Sequence, residues 1–167
     1  MKLWKGIIIY AAALLLQPFI NYLTPHTGFS ANLILVLTVI ITFIYDDDEM
    51  IGIGLGTIFG LLSDMAFGQY IGPGAFSMAI TGISVLFLKG FANRDNFVNG
   101  IVLTLISTWL YSSVYWLIYF LAKSPYSYTY AMKTIPMQML FNCVFALILY
   151  LVLIKKTAKY RKDRYIR

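Results

Sequence analysis

One cysteine, one histidine and seven acidic residues are nearly all that this chain of 167 residues offers for covalent or metal chemistry. The single cysteine, Cys143, excludes an internal disulfide and reads as a small buried apolar side chain. The single histidine, His26 in Thr24-Pro25-His26, makes no zinc site, which usually takes four protein ligands or three and a water. There is no HExxH, no GxSxG, no phosphate-cradling glycine loop and no cofactor motif. Charge is also scarce, at 12% of residues, against about 25% in a typical soluble domain. Hydrophobic residues make up 60%, and mean hydropathy is +0.76. A soluble fold of this length has too little interior for so much apolar surface, which excludes a water-soluble globular class. Disorder is excluded by the same apolar content, and 12 Gly with 5 Pro exclude a collagen-like chain. The solvent that suits this chain is a lipid bilayer.

The apolar residues fall into six runs, and the chain is expected to be an all-α integral membrane protein with a single six-helix domain over 1–154. The expected spans are 3–23, 29–45, 50–67, 73–88, 97–122 and 135–154, each near the 17–25 residues a crossing needs. The fifth is long for a hydrocarbon core and must tilt or protrude. No small-residue cleavage site follows the first run, so it reads as an uncleaved span, with Pro18 inside it. Residues 155–167 form a basic tail with seven cations and one anion, which equals the net charge of the whole chain, +6. With six spans the termini share one side. That side carries Lys2, Lys5, Lys89, Arg94 and the seven tail cations, while the other holds Lys123 and Lys133. The imbalance places both termini in the cytoplasm. A short tail after an apolar run does not suit nucleic acid, which needs a basic patch on a folded domain. Lys155, Lys156, Lys159, Arg161, Lys162, Arg164 and Arg167 serve as a topology signal or as contacts to anionic lipid.

The most informative stretch is MIGIGLGTIFGLLSDMAFGQYIGPG, residues 50–74. Gly52, Gly56, Gly60 and Asp64 recur every fourth residue. On a helix they share one face that drifts by about 40° per step. Small residues at this spacing let two helix backbones approach closely. The face therefore suits packing inside the chain, or contact with another subunit, a second copy included. Asp64 is costly near membrane depth, by about 2.5–3.5 kcal/mol when central. Two roles suit it: an acceptor for backbone N–H groups at the start of the fourth helix, or a contact to a ligand or partner. Gly68 and Gly72-Pro73-Gly74 break the helix between the third and fourth spans.

The pattern Gly56-x3-Gly60-Leu61-Leu62-x-Asp64-x3-Gly68-x3-Gly72-x2-Ala75 resembles that of the rod shape-determining protein MreD family. The length, the six spans, the basic tail, and Pro136 with Asn142 in the last span are similar to that family as well. The resemblance implies a non-enzymatic role in the bacterial cell-elongation machinery that supports peptidoglycan synthesis. The implied partners are an MreC-like bitopic scaffold, the MreB filament and the peptidoglycan polymerase and transpeptidase pair. It also implies a fold like the six-helix substrate-binding component of energy-coupling-factor vitamin transporters. That likeness supplies the competing function, capture of a vitamin in a cavity on the outer half of the bundle, with Asn32, Asp64, Gln69 and fifth-span aromatics as candidate contacts.

The remaining features stay open between plainer and sharper readings. Asp46-Asp47-Asp48-Glu49 is a solvated turn at the start of the third helix, a surface for a cationic cytoplasmic partner, or a divalent-cation site without calcium-loop spacing. Tyr111, Tyr115 and Tyr119, with Trp109 and Trp116, belong to an interface belt, to helix packing, or to a stacking wall for a ring-shaped ligand. Tyr126, Tyr128 and Tyr130 suit an interfacial segment or an extracellular contact. No nucleophile–base pair is visible, so no enzyme is expected.

Overall fold

The computed structural model describes residues 3–23, 31–45, 49–92, 96–124 and 127–164. The side chains of residues 23, 49, 130, 131 and 154–164 lie outside the description. Among the described residues there are six α-helices and no strand: α1 (Leu3–Leu23), α2 (Leu33–Ile44), α3 (Glu49–Phe67), α4 (Pro73–Leu88), α5 (Phe97–Leu121) and α6 (Tyr128–Arg164), with a 3-10 turn at Lys89–Phe91 after α4. Five of the six are long and apolar enough to cross a membrane, and the shorter one is α2. The chain is thus an all-helical, multi-pass membrane protein.

α2 is the centre of the molecule. It packs against each of the other five helices. All twelve of its residues are buried. At 1.5 Å per residue it is about 18 Å long, well short of a hydrocarbon core of about 30 Å. The span expected over 29–45 is therefore helical only from Leu33, while residues 24–30 are not described. A helix wrapped by protein on all sides needs no length to match lipid. Its sequence, LILVLTVIITFI, is rich in β-branched residues, whose stiff side chains cost some helix propensity but suit a packed interior.

The glycines of α3 set how close its neighbours come. A Cβ on Gly52 would lie 2.8 Å from Thr42 Oγ1 of α2, and one on Gly56 would run into Thr38. One on Gly60 would meet the carbonyl oxygen of Gly74 in α4 at 3.1 Å. The drift of a four-residue repeat around the helix thus carries the glycine face from α2 to α4. In the structure this face packs against α2 and α4 within the chain. Tyr10 of α1, wholly buried, locks the closest approach: its hydroxyl lies 3.1 Å from both Thr38 Oγ1 and the Gly52 carbonyl.

α6 departs from the expected boundaries. It starts at Tyr128, inside the stretch expected to be a loop, and continues to Arg164, through most of the basic tail. Residues 137–164 contain neither glycine nor proline, and Lys and Arg are good helix formers, so nothing ends the helix at the membrane surface. The loop before it is closed by Lys123, whose φ of 59° turns the chain after α5 while Ser124 N–H donates to the Tyr119 carbonyl.

Gly56→Ala is expected to destabilise the protein by about 1–3 kcal/mol, the range for overpacking. Gly54→Ala, which meets nothing within 4 Å, is expected to be neutral or to gain up to about 1 kcal/mol. Thermal unfolding of the two variants in detergent checks this pair.

Candidate functional site

α2 and α4 both begin inside the bundle, at the end where α5 stops and α6 starts. The first N–H groups of a helix have no partner within it. In hydrocarbon each bare group costs several kcal/mol. Water would satisfy them at a protein surface, but here other helices do so.

At the start of α2, three side chains converge. Asn32 occupies the N-cap, and its Oδ1 accepts from Leu35 N–H at 3.0 Å. Gln17 of α1 accepts Leu33 N–H on Oε1 at 3.0 Å and donates from Nε2 to the Ala31 carbonyl and to Asn21. Asn142 of α6, fully buried, accepts Asn32 N–H at 2.8 Å and donates to Thr108 Oγ1 of α5 at 3.0 Å. One helix start thus joins α1, α2, α5 and α6. The other end of α2 is also held from outside: Lys89, buried, places Nζ 3.4 Å from the Thr42 carbonyl. A cation at a helix C-terminus is favourable. Sequence reasoning treated Lys89 only as a topology residue.

At the start of α4 the work falls to Asp64, which is 5% exposed. Its Oδ2 accepts Gly72 N–H at 3.0 Å and Gly74 N–H at 2.7 Å, with Ala75 N–H at 3.4 Å. The glycines make this possible in two ways. Gly72 has φ +117°, a conformation that side chains rarely adopt, and a Cβ on Gly74 would occupy the carboxylate's place. Hydrogen bonds to a charged acceptor are worth about 1.5–3 kcal/mol each, enough together to offset the insertion penalty of the carboxylate. The Gly68 N–H closes the end of α3 on the Asp64 carbonyl at 2.8 Å. Of the candidate residues, Asp64, Gly68 and Gly72 therefore meet in one α3–α4 clasp, while Gly52, Gly56 and Gly60 lie along the helix leading to it.

Beside the clasp lies a cavity of about 470 Å³, lined by Asn32, Gln69, Tyr111, Ser112, Tyr115, Trp116, Thr134 and Gln138 among others. A second, of about 380 Å³, adjoins it across Tyr119 and reaches Tyr70 and Pro73. The fifth-span tyrosines form a ladder: Tyr111 stacks on Tyr115 at 5.7 Å and Tyr115 on Tyr119 at 4.8 Å between ring centres. Trp116 stacks on Phe120 and meets Tyr128 edge-on at 4.7 Å. Trp109 lies apart, 45% exposed. Asn32 and Gln69 come together at the cavity, whereas Asp64 is occupied by the clasp.

Several candidates lie outside the described residues: His26, Asp46, Asp47, Asp48, Arg94, Tyr126 and Arg167, with the side chains of Glu49, Tyr130, Lys155, Lys156, Lys159, Arg161, Lys162 and Arg164. No group of three or more His, Cys, Asp or Glu side chains suited to a metal occurs among the described residues.

These features define a class: a multi-pass helical membrane protein in which four buried polar side chains, Gln17, Asp64, Lys89 and Asn142, hold helix ends. The family model described as rod shape-determining protein MreD matches residues 2–158. The chain belongs to the MreD family, and is a rod shape-determining membrane protein. No curated protein and no solved structure matches it.

Asp64→Leu leaves the N–H groups of Gly72 and Gly74 without an acceptor, at about 1–3 kcal/mol each. Asp64→Asn keeps one acceptor oxygen and is expected to retain much of the stability. Thermal melting in detergent reads the difference; equal melting of the two would show that the carboxylate does not hold α4.

Proposed function

We propose that this protein is a non-enzymatic subunit of the bacterial cell-elongation complex. It lies in the cytoplasmic membrane with both termini inside, and binds an MreC-like bitopic scaffold through its transmembrane helices. The MreB filament and the peptidoglycan polymerase and transpeptidase pair act with that scaffold. The family match over residues 2–158 carries this reading. Two features support it. Asp64, Gln17 and Asn142 serve helix ends, so their chemistry is structural. The outer faces are broad and apolar, with Leu15, Phe19, Leu140 and Ile148 all more than half exposed. In lipid such a face receives either acyl chains or a partner's helix. Because α2 and α4 take the glycine face, a scaffold helix meets the outer faces instead. The cationic tail sits against anionic headgroups of the inner leaflet, at about 1 kcal/mol per Lys or Arg.

Depletion is expected to round or swell a rod-shaped or ovoid cell, and the tagged protein to co-purify with the scaffold from solubilised membranes. Normal shape with no co-purification would remove this reading. A reporter fused after Arg167 is expected to be active only on the cytoplasmic side.

A further inference from the structure

Gln138 in the larger cavity differs from the helix caps, whereas Asn32 lines the cavity and also caps α2. Each cap group meets a defined backbone partner, as Asp64, Gln17 and Asn142 do. Gln138 accepts or shares one hydrogen bond, with Ser112 Oγ donating to its Oε1 at 3.1 Å. Among the described residues its Nε2 has no protein partner, and the side chain lines the cavity. Gln69 lines it too, and Asn32 and Thr134 add an amide and a hydroxyl. Three tyrosines and Trp116 complete the wall. None of the lining residues carries a charge.

We propose that this cavity binds an uncharged small molecule of one or two rings whose rim carries hydroxyl or amide groups. Amides and hydroxyls both donate and accept, and so match groups of the same kind on a ligand. At about 470 Å³ the volume lies within the range of small-molecule pockets, roughly 300–1,000 Å³. Aromatic walls with a few placed polar groups are the usual make-up of such pockets. The rings of the tyrosine ladder face one another, so they form a wall and not a slot. That favours a ligand with polar groups along its edge, such as a neutral sugar. An anionic ligand would lose its hydration without meeting a cation among the lining residues, and would lie beside the Asp64 clasp, which is costly. The proposal goes beyond the scaffold-binding role and does not depend on it.

The test is calorimetry on the purified full chain in detergent. N-acetylglucosamine, its β-linked disaccharide and nicotinamide serve as neutral probes, and glucuronate and nicotinate as anionic counterparts. The expected result is saturable binding of a neutral probe, at least about tenfold tighter than its charged counterpart where it has one. The sugar arm separates a carbohydrate ligand from a heterocycle. Gln138→Leu and Tyr115→Ala are each expected to weaken binding by about tenfold or more, the scale of one or two lost hydrogen bonds. Ser112→Ala is a milder second variant, and an unchanged melting temperature shows that each variant folds. Failure of all neutral probes, or binding unaffected by these substitutions in folded protein, would overturn the proposal. So would equal binding of the charged counterparts.

Discussion

No backbone N–H can be left bare inside a bilayer, and this fold is arranged around that constraint. An ordinary crossing helix avoids the problem by starting and ending in the headgroups. α2 does not: it is about 18 Å long and surrounded on all sides. Its first donors are therefore met by Gln17, Asn32 and Asn142, and its last carbonyls lie beside Lys89. Each of these side chains except Asn32 comes from another element, so capping α2 also fixes α1, α5 and α6 around it. The same logic at α4 ties α3 to α4 through Asp64. Polar side chains in this bundle act as cross-braces.

Close packing supplies the second half of the fold. Lipid gives no hydrophobic drive between helices, so contact must come from fit and from hydrogen bonds. Gly52 and Gly56 bring α3 against the threonines of α2, and Gly60 brings it against the backbone of α4. The clasp needs that proximity. A Cβ at Gly60 or Gly74 would push α4 away and lengthen the Asp64 hydrogen bonds, which at 2.7–3.0 Å have little to give. Glycine spacing and carboxylate placement are therefore one device, and this explains why both fall on a single drifting helix face.

What could be read from the sequence was local. The four-residue glycine period is visible within one helix, and the cost of an acidic group at depth marks Asp64 without any knowledge of its neighbours. The helical class follows from the length of the apolar runs. What escaped was long-range. Asn142 and Asn32 are 110 residues apart, and no pattern in either segment announces the pairing. Gln17 carries no mark of its role inside the first apolar run, and Lys89 reads as a cytoplasmic charge. The true length of α2 was hidden for a related reason. Hydropathy reports that a run is apolar, but it does not distinguish lipid from protein as the surroundings. The continuation of α6 through the basic tail was legible in the absence of glycine and proline, yet a charge run invites reading as a tail.

The matching of donors and acceptors gives a common measure for every polar group at depth. Applied to Asp64, Gln17 and Asn142, it returns groups whose partners lie in the backbone, and their role is structural. Applied to Gln138, it returns an amide whose nitrogen faces no protein partner among the described residues. Gln138 is half-buried and borders the cavity, so that nitrogen is open to a ligand. Buried Thr42 Oγ1 and Ser113 Oγ also lack a partner among the described residues, but neither lines the cavity, whose polar wall includes Gln138. Together with the tyrosine ladder beside it, that wall is where the interior of this protein is shaped to meet something from outside the chain.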